Sequence, residues 1–125
     1  MSLPRARILR THRQFARVRA QGTARVGRFL LVTAVPAPDP EAPSRFGFVT
    51  PRYVGKAHDR NRVRRQLKAL VALALPGLRE GFEVVTLARR TVTQAGYAAL
   101  DAEWRRLAAK AGLVAAANPP GDAVC

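Results

Sequence analysis

Between Gly55 and Leu70 the sequence GKAHDRNRVRRQLKAL gathers Lys56, Arg60, Arg62, Arg64, Arg65 and Lys68, with His58 among them, against the single carboxylate of Asp59. The pattern is that of a helix start. A helix N-terminus already carries about half a positive charge from its unpaired N–H groups, so acidic residues are what stabilise that end. Cations crowded there oppose folding of the isolated chain and suit an anion supplied from outside. Free N–H groups at a helix start bind phosphate, and guanidinium groups add forked, charge-assisted hydrogen bonds to phosphate oxygens. A merely solvated face would interleave Glu with Lys or Arg at i and i+4, yet no acid occurs from Arg60 to Leu75. Lys56, Arg60, Asn61, Arg62, Arg64, Arg65 and Lys68 are therefore the candidate contacts to a phosphate backbone. Asn61 is the one that could equally be an ordinary polar helix residue.

Catalysis by the chain's own side chains would need other constellations. Cleavage of RNA by general acid and base takes two proton-transfer groups about the phosphate, and His12 and His58, with Lys56 to stabilise a charged phosphorane, are the available set. Nothing in their spacing ties them together, and histidine beside arginine is common wherever phosphate is merely contacted. A metal-dependent route needs gathered carboxylates. The eight acids are scattered, and Asp101 and Glu103, two apart on a helix, do not share a face. No catalytic residue and no metal site are expected. A second binding surface is suggested by Phe15 and Arg19, one helical turn apart, with a strand face bearing Phe29, Leu31 and Thr33. Stacking on Phe and pairing to Arg would grip an extended nucleotide strand whatever its sequence. The competing reading of these apolar residues is core packing, the commoner fate of such positions.

The chain has 125 residues, consistent with one domain that buries roughly two-thirds of its unfolded surface. Lys plus Arg number 22 and Asp plus Glu 8, giving a net charge of +14, which must attract polyanions. Nucleic acid is the leading partner and an anionic membrane the rival. No stretch approaches the roughly 20 apolar residues of a span, and the start MSLPRARILRTHR lacks the apolar middle of a signal peptide, so a cytoplasmic location is expected. Cys125, the only cysteine, offers neither a disulfide nor a thiolate metal site. Aromatics make up only 6 %, so charge must do more than stacking.

Several elements must position these groups. Residues 1–10 carry Arg5, Arg7 and Arg10 with few apolar partners and read as a basic arm, mobile until bound. Thr11 with Gln14 three residues later fits a capping box and Gly22 a stop, predicting a helix over His12–Gln21 with Phe15 and Val18 on its packing edge. Thr23 to Val35 is apolar on both faces, which predicts a strand region covered on both sides and divided by Gly27 into Thr23–Val26 and Arg28–Val35. The four prolines of PAPDPEAP make an exposed loop, across which Arg45–Thr50 should pair antiparallel with its predecessor. Val63, Leu67, Leu70, Val71 and Ala74 then mark one face of a helix reaching about Leu75 and ended by Pro76-Gly77. Asn61, Arg65 and Lys68 lie opposite, flanked by Arg62 and Arg64. Phe82–Ala88, FEVVTLA, reads as the last strand, parallel to Arg45–Thr50 if the two share a sheet. Thr93 is the expected N-cap of a final helix with Tyr97, Leu100, Trp104, Leu107, Ala108 and Ala111 along its apolar stripe, stopped by Gly112. The organisation is one α/β domain over residues 11–112, followed by a flexible tail, 113–125.

VGKAHDRNRVRRQLKAL, Val54 to Leu70, resembles the signature of the bacterial ribonuclease P protein component, an Arg-Asn-Arg triplet opening a helix after a Gly-Lys-Ala-like turn. FARVRAQG from Phe15 resembles that family's first helix, RFGFV from Arg45 the strand before the signature, and EVVTLAR from Glu83 the last strand. The resemblance implies a two-layer α+β domain of αβββαβα order with a four-stranded mixed sheet, like the second domain of ribosomal protein S5. It implies the non-catalytic protein subunit of a ribonucleoprotein endoribonuclease, in which the RNA subunit holds the Mg2+ ions and hydrolyses the bond that frees the 5′ leader of precursor tRNA. The partners implied are the RNA subunit, bound through Lys56, Arg60, Asn61, Arg62, Arg64, Arg65 and Lys68, and the leader of precursor tRNA. The leader would lie in a cleft marked by Phe15, Arg19, Leu31 and Thr33. No membrane and no stable protein partner is implied. The chain departs from the family at Arg19 and Thr33, where aromatics are common, and has Tyr53 in the turn before the signature, whose place relative to the cleft the sequence does not fix. The alternatives are a structural RNA-binding protein such as a ribosomal constituent, and a stand-alone nuclease built on His12 and His58.

Overall fold

The computed structural model describes residues 3–114. The Thr11 hydroxyl accepts from the Gln14 N–H at 3.1 Å, and the Gln14 side chain accepts from the Thr11 N–H at 3.0 Å. This reciprocal cap starts helix α1, His12–Gln21, by satisfying two donors that a helix start leaves open. Strands β1, Thr23–Val26, β2, Leu30–Pro36, and β3, Arg45–Val49, follow, then helix α2, Ala57–Ala74, strand β4, Phe82–Ala88, and helix α3, Tyr97–Lys110. Short 3-10 turns occupy Arg5–Arg7, Arg52–Val54, Leu75–Gly77 and Arg90–Gln94.

The sheet order is β1-β2-β4-β3, with β4 antiparallel to β2 and parallel to β3. The mixed sheet and the parallel β3–β4 pair are as expected; the antiparallel pairing of β3 with β2 is not, because β4 lies between them. Central places in a sheet go to strands that can bury both faces. LLVTAVP and FEVVTLA do so, whereas β3 begins with Arg45 and takes the edge. The proline-rich connection from β2 to β3 is long enough to pass the start of β4, where the Ala37 N–H donates to the Gly81 carbonyl at 2.8 Å.

One sheet face, with Leu30, Val32, Phe46, Val84 and Ala88, packs against Val63, Leu67 and Leu70 of α2 and Leu100, Trp104 and Leu107 of α3. The indole N–H of Trp104 is satisfied by the Thr86 hydroxyl at 2.9 Å. The other face receives α1: Val18 packs with Val35 and Val85, and the Phe15 ring covers Gly47, where a Cβ would meet its Cζ at 2.5 Å. Arg17 fastens α1 to the sheet through Glu83 at 2.6 Å and the Pro36 carbonyl at 2.7 Å.

The expected mobile basic arm is instead packed along the edge of β3. Leu3 and Leu9 are buried, Ile8 bridges Phe46, and the Leu9 N–H donates to the Phe46 carbonyl at 2.9 Å. Arg7 forks onto Glu80 at 2.6 and 2.9 Å, and the Ser44 N–H donates to the same carboxylate at 2.8 Å. These donors hold the Glu80 pKa below the ordinary carboxylate value, and Glu80 in turn raises that of Arg7. Leu3, Ile8 and Leu9, interspersed with the arginines, supply the contacts that hold the segment. At the other end, Gly112 adopts φ 82° and stops α3, but Leu113 is buried and Val114 bridges Leu78, so the chain stays packed past Gly112. Residues 115–125 of the expected tail lie outside the described residues.

Thr93 does not cap α3: it falls within the Arg90–Gln94 turn, and Gly96 occupies the N-cap without a side-chain hydrogen bond. The third helix is tied down further along. Glu103, only 7 % exposed, accepts the N–H groups of Arg28 at 2.9 Å and of Phe29 and Leu30 at 2.7 Å each. Gly27 leaves room for this, since a Cβ there would sit 2.5 Å from the carboxylate. The break that Gly27 was expected to make is thus a turn organised by a carboxylate from the far end of the chain. It also moves the start of β2 from Arg28 to Leu30. Glu103→Ala would leave three backbone donors without their acceptor, and chemical denaturation should show a loss of about 3 kcal/mol or more. A loss below about 1 kcal/mol would mean that water replaces the carboxylate freely.

Candidate nucleic-acid interface

Val63, Leu67, Leu70, Val71 and Ala74 of α2 are all buried, as their spacing predicts. That rotation leaves Asn61, Arg62 and Arg65 exposed and Arg60, Arg64 and Lys68 partly so. The chain enters α2 through Gly55 at φ 152°, a conformation other residues rarely adopt, and a Cβ there would also meet the Asp59 carboxylate at 2.8 Å. Lys56 is the N-cap and makes no capping hydrogen bond, so the first turn of α2 keeps open donors beside its cations.

Among the described residues no ion pair involves Lys56, Arg60, Arg62, Arg64, Arg65 or Lys68. Of the acids, Glu80 pairs with Arg7 and Glu83 with Arg17 at 2.6 Å each, Asp101 with Arg105 at 2.9 Å and Glu103 with Arg106 at 3.6 Å, while Asp59, the one acid in the first turn of α2, lies 3.4 Å from His58. The candidates are not equivalent. Arg64 turns inward, donating to the Thr50 hydroxyl at 2.6 Å and the Asn61 side-chain Oδ1 at 3.1 Å. It therefore clamps α2 to the end of β3 and orients Asn61. Arg60 has its Nε buried without a hydrogen-bond partner among the described residues, an arrangement that costs about 1–3 kcal/mol for a buried donor.

A cleft of about 350 Å3 adjoins this helix start, lined by Arg19, Leu31, Thr33, Val49, Pro51, Tyr53, Val85 and Leu87. The part of the α1-bearing sheet face that α1 leaves open forms its floor. Arg19 of α1 forms one wall and the Arg52–Val54 turn the other. Arg19, Leu31 and Thr33 meet there as expected. Phe15 does not line it, because its ring lies over Gly47. Phe29 is also absent: it precedes β2 and packs toward the α2–α3 core, with the Arg28 guanidinium 5.3 Å from its ring centroid. Tyr53 supplies the aromatic instead. It is 45 % exposed, and the Arg90 guanidinium lies 5.0 Å from its ring centroid. Val49, Val85 and Leu87 were legible only through register, since Leu87 is the partner of both Leu31 and Val49.

His12 and His58 begin different helices, both exposed to solvent, and no hydrogen bond joins them. Among the described residues no three His, Cys, Asp or Glu side chains gather where they could hold a metal, and no helix is long and apolar enough to cross a membrane. What the arrangement offers is an open cationic helix end beside a partly apolar, arginine-walled groove.

A family model described as Ribonuclease P matches residues 3–112. The Ribonuclease P protein component of Roseiflexus sp. (strain RS-1) is 34 % identical over 117 residues, which span 93 % of this chain and 94 % of that protein. That of Chloroflexus aggregans is 38 % identical over 111 residues, spanning 88 % and 81 % respectively. Among solved structures, a Staphylococcus aureus RNase P protein mutant with defective mRNA degradation activity superposes with a TM-score of 0.80 at 15 % identity, over 86 % of this chain and 90 % of that one. The RNase P protein from Thermotoga maritima gives 0.71 at 21 % identity, over 80 % and 93 %. At these identities the structural likeness speaks for the fold.

Proposed function

The chain belongs to the ribonuclease P protein family, and on that premise we propose that it binds the catalytic RNA subunit and the 5′ leader of precursor tRNA, assisting leader removal without a catalytic side chain of its own. The observation that carries this reading is the start of α2, where Lys56, Arg60, Arg62, Arg65 and Lys68 stand without an acidic partner among the described residues. Arg60, Asn61, Arg62, Arg65 and Lys68 contact the backbone of the RNA subunit, while Arg64 holds the helix in place for them. The leader lies in the adjoining cleft, against Leu31 and Thr33, with Arg19 on its phosphates and Tyr53 on a base.

The physical benefit is electrostatic. Two polyanions must approach one another, and a cationic wedge between them lowers their repulsion, so substrate affinity rises and less magnesium is required. From its family membership we place the Mg2+ ions with the RNA subunit. The reaction would proceed in the cytoplasm, where precursor tRNA is made. If about five phosphates meet the protein, log affinity should fall with log salt at a slope of roughly −3.5 on single-stranded RNA.

Reconstitution with the RNA subunit at low magnesium tests the assignment. Wild-type protein should restore leader removal, and Arg60→Ala with Arg62→Ala should lower it by roughly 10-fold or more, two charge-assisted contacts being lost. Equal assistance by the double variant would contradict the role given to α2. In the assembled enzyme, Tyr53→Ala should weaken binding of leader-bearing precursor by about 1–3 kcal/mol, the worth of one stacked base, and leave binding of leaderless tRNA unchanged. An equal effect on both ligands would remove Tyr53 from the leader site.

A further inference from the structure

The segment before α1 divides its arginines. Arg7 turns onto Glu80 and, at 3.4 Å, the Ser44 carbonyl, and the burial of Leu3 and Leu9 holds the same stretch against the sheet edge. Arg5 and Arg10 face the other way. With Arg45, the first residue of β3, they line a cavity of about 350 Å3 whose remaining wall includes Thr11 and Gln14 at the start of α1. No ion pair reaches Arg5, Arg10 or Arg45 among the described residues. The nearest acid by strand register is Glu83, the ladder partner of Arg45, and Arg17 already occupies it at 2.6 Å.

The backbone donors and side-chain acceptors of the α1 cap satisfy one another, and the guanidinium groups beside them are left without an acid among the described residues. The Gln14 side-chain oxygen accepts from the N–H groups of Arg10 at 2.9 Å and Thr11 at 3.0 Å, and the Thr11 hydroxyl accepts from the Gln14 N–H at 3.1 Å. Three guanidinium groups therefore line one space with no acid paired to them among the described residues, a set matched to the oxygens of a phosphate. The cavity is separate from the cleft. Arg45 and Val49 lie at opposite ends of β3, about 13 Å apart at the usual rise per residue, and the Phe15 ring on Gly47 fills the sheet face between them.

We propose that Arg5, Arg10 and Arg45 form a second phosphodiester site, which takes RNA backbone independently of α2 and of the cleft. This rests on the reading that the chain binds RNA. It gives the packed N-terminal segment a role: Arg7 sets the frame so that its neighbours can present charge.

The test measures two binding constants across a salt series: full-length protein for the RNA subunit, and the assembled enzyme for leader-bearing precursor tRNA. Arg5→Gln, Arg10→Gln and Arg45→Gln together should weaken at least one of them about 10-fold or more at physiological salt. The slope of log affinity against log salt for that ligand should shrink by about 2, three contacts at about 0.7 each. The constant that changes identifies which RNA supplies the phosphate. A control removing Arg25, Arg79 and Lys110, cations outside this cavity, should change both constants much less. The proposal is overturned if the triple variant matches wild type, or if the control produces an equal loss. As a measure independent of any variant, a short oligoribonucleotide should shift the amide resonances of Arg10, Thr11, His12 and Arg45 in the wild-type protein, and unmoved resonances would count against the site. Wild-type protein that bound neither RNA would instead overturn the RNA-binding reading itself.

Discussion

Everything in this structure follows from how few carboxylates it has and where they are placed. Glu103 organises the turn between β1 and β2, Glu83 holds α1 to the sheet through Arg17, and Glu80 holds the N-terminal segment through Arg7. Each serves as an internal fastener between distant parts of the chain. Asp59 alone, beside His58, stands in the first turn of α2, which must rely on burial of Val63, Leu67, Leu70 and Val71 to stay helical against its own repulsion. A charge deficit placed on one helix end, rather than spread evenly, turns a destabilising feature into a binding surface.

The same arrangement sets the geometry of the groove. β4 takes the centre of the sheet because both its faces can be buried, and this brings Val85 and Leu87 between Leu31 and Val49. The Arg64–Thr50 hydrogen bond then ties the end of β3 to α2, so the groove and the cationic helix end share the intervening turn that carries Tyr53. A ligand strand in the groove and a folded RNA on α2 would meet at that turn. The separation of tasks among arginines recurs throughout: Arg7, Arg17 and Arg64 fasten, while Arg5, Arg19, Arg62 and Arg65 are presented.

Most signals carried by near neighbours are legible in the sequence, the Thr93 cap being the exception, and those that depend on distant contacts are not. The Thr11–Gln14 box, the α2 stripe and the uncompensated cations depend on neighbours within a few positions, and the structure places them as their spacing predicts. The β2–β3 pairing that adjacency in sequence suggests gives way to β4, whose two-sided burial takes the place between them. Residue type points Phe15 and Phe29 to the groove. One lies over Gly47 and the other faces the opposite layer, which only tertiary packing reveals. Tyr53 could not be placed because a 3-10 turn, with no periodicity of its own, decides where its ring goes. Glu103 gave no sign of its role at all, since its partners are backbone groups more than 70 positions away.

The central claim is that α2 carries charge the folded protein cannot balance, and the stability of the RNA-free protein tests it most directly. Its urea unfolding midpoint should rise with sodium chloride as the repulsion is screened. Arg62→Gln, Arg65→Gln and Lys68→Gln together should raise the midpoint at low salt and flatten that rise, glutamine being nearly as good a helix former. A triple variant that is less stable than wild type at low salt, or that responds to salt as wild type does, would show that these cations are already compensated and contradict the account.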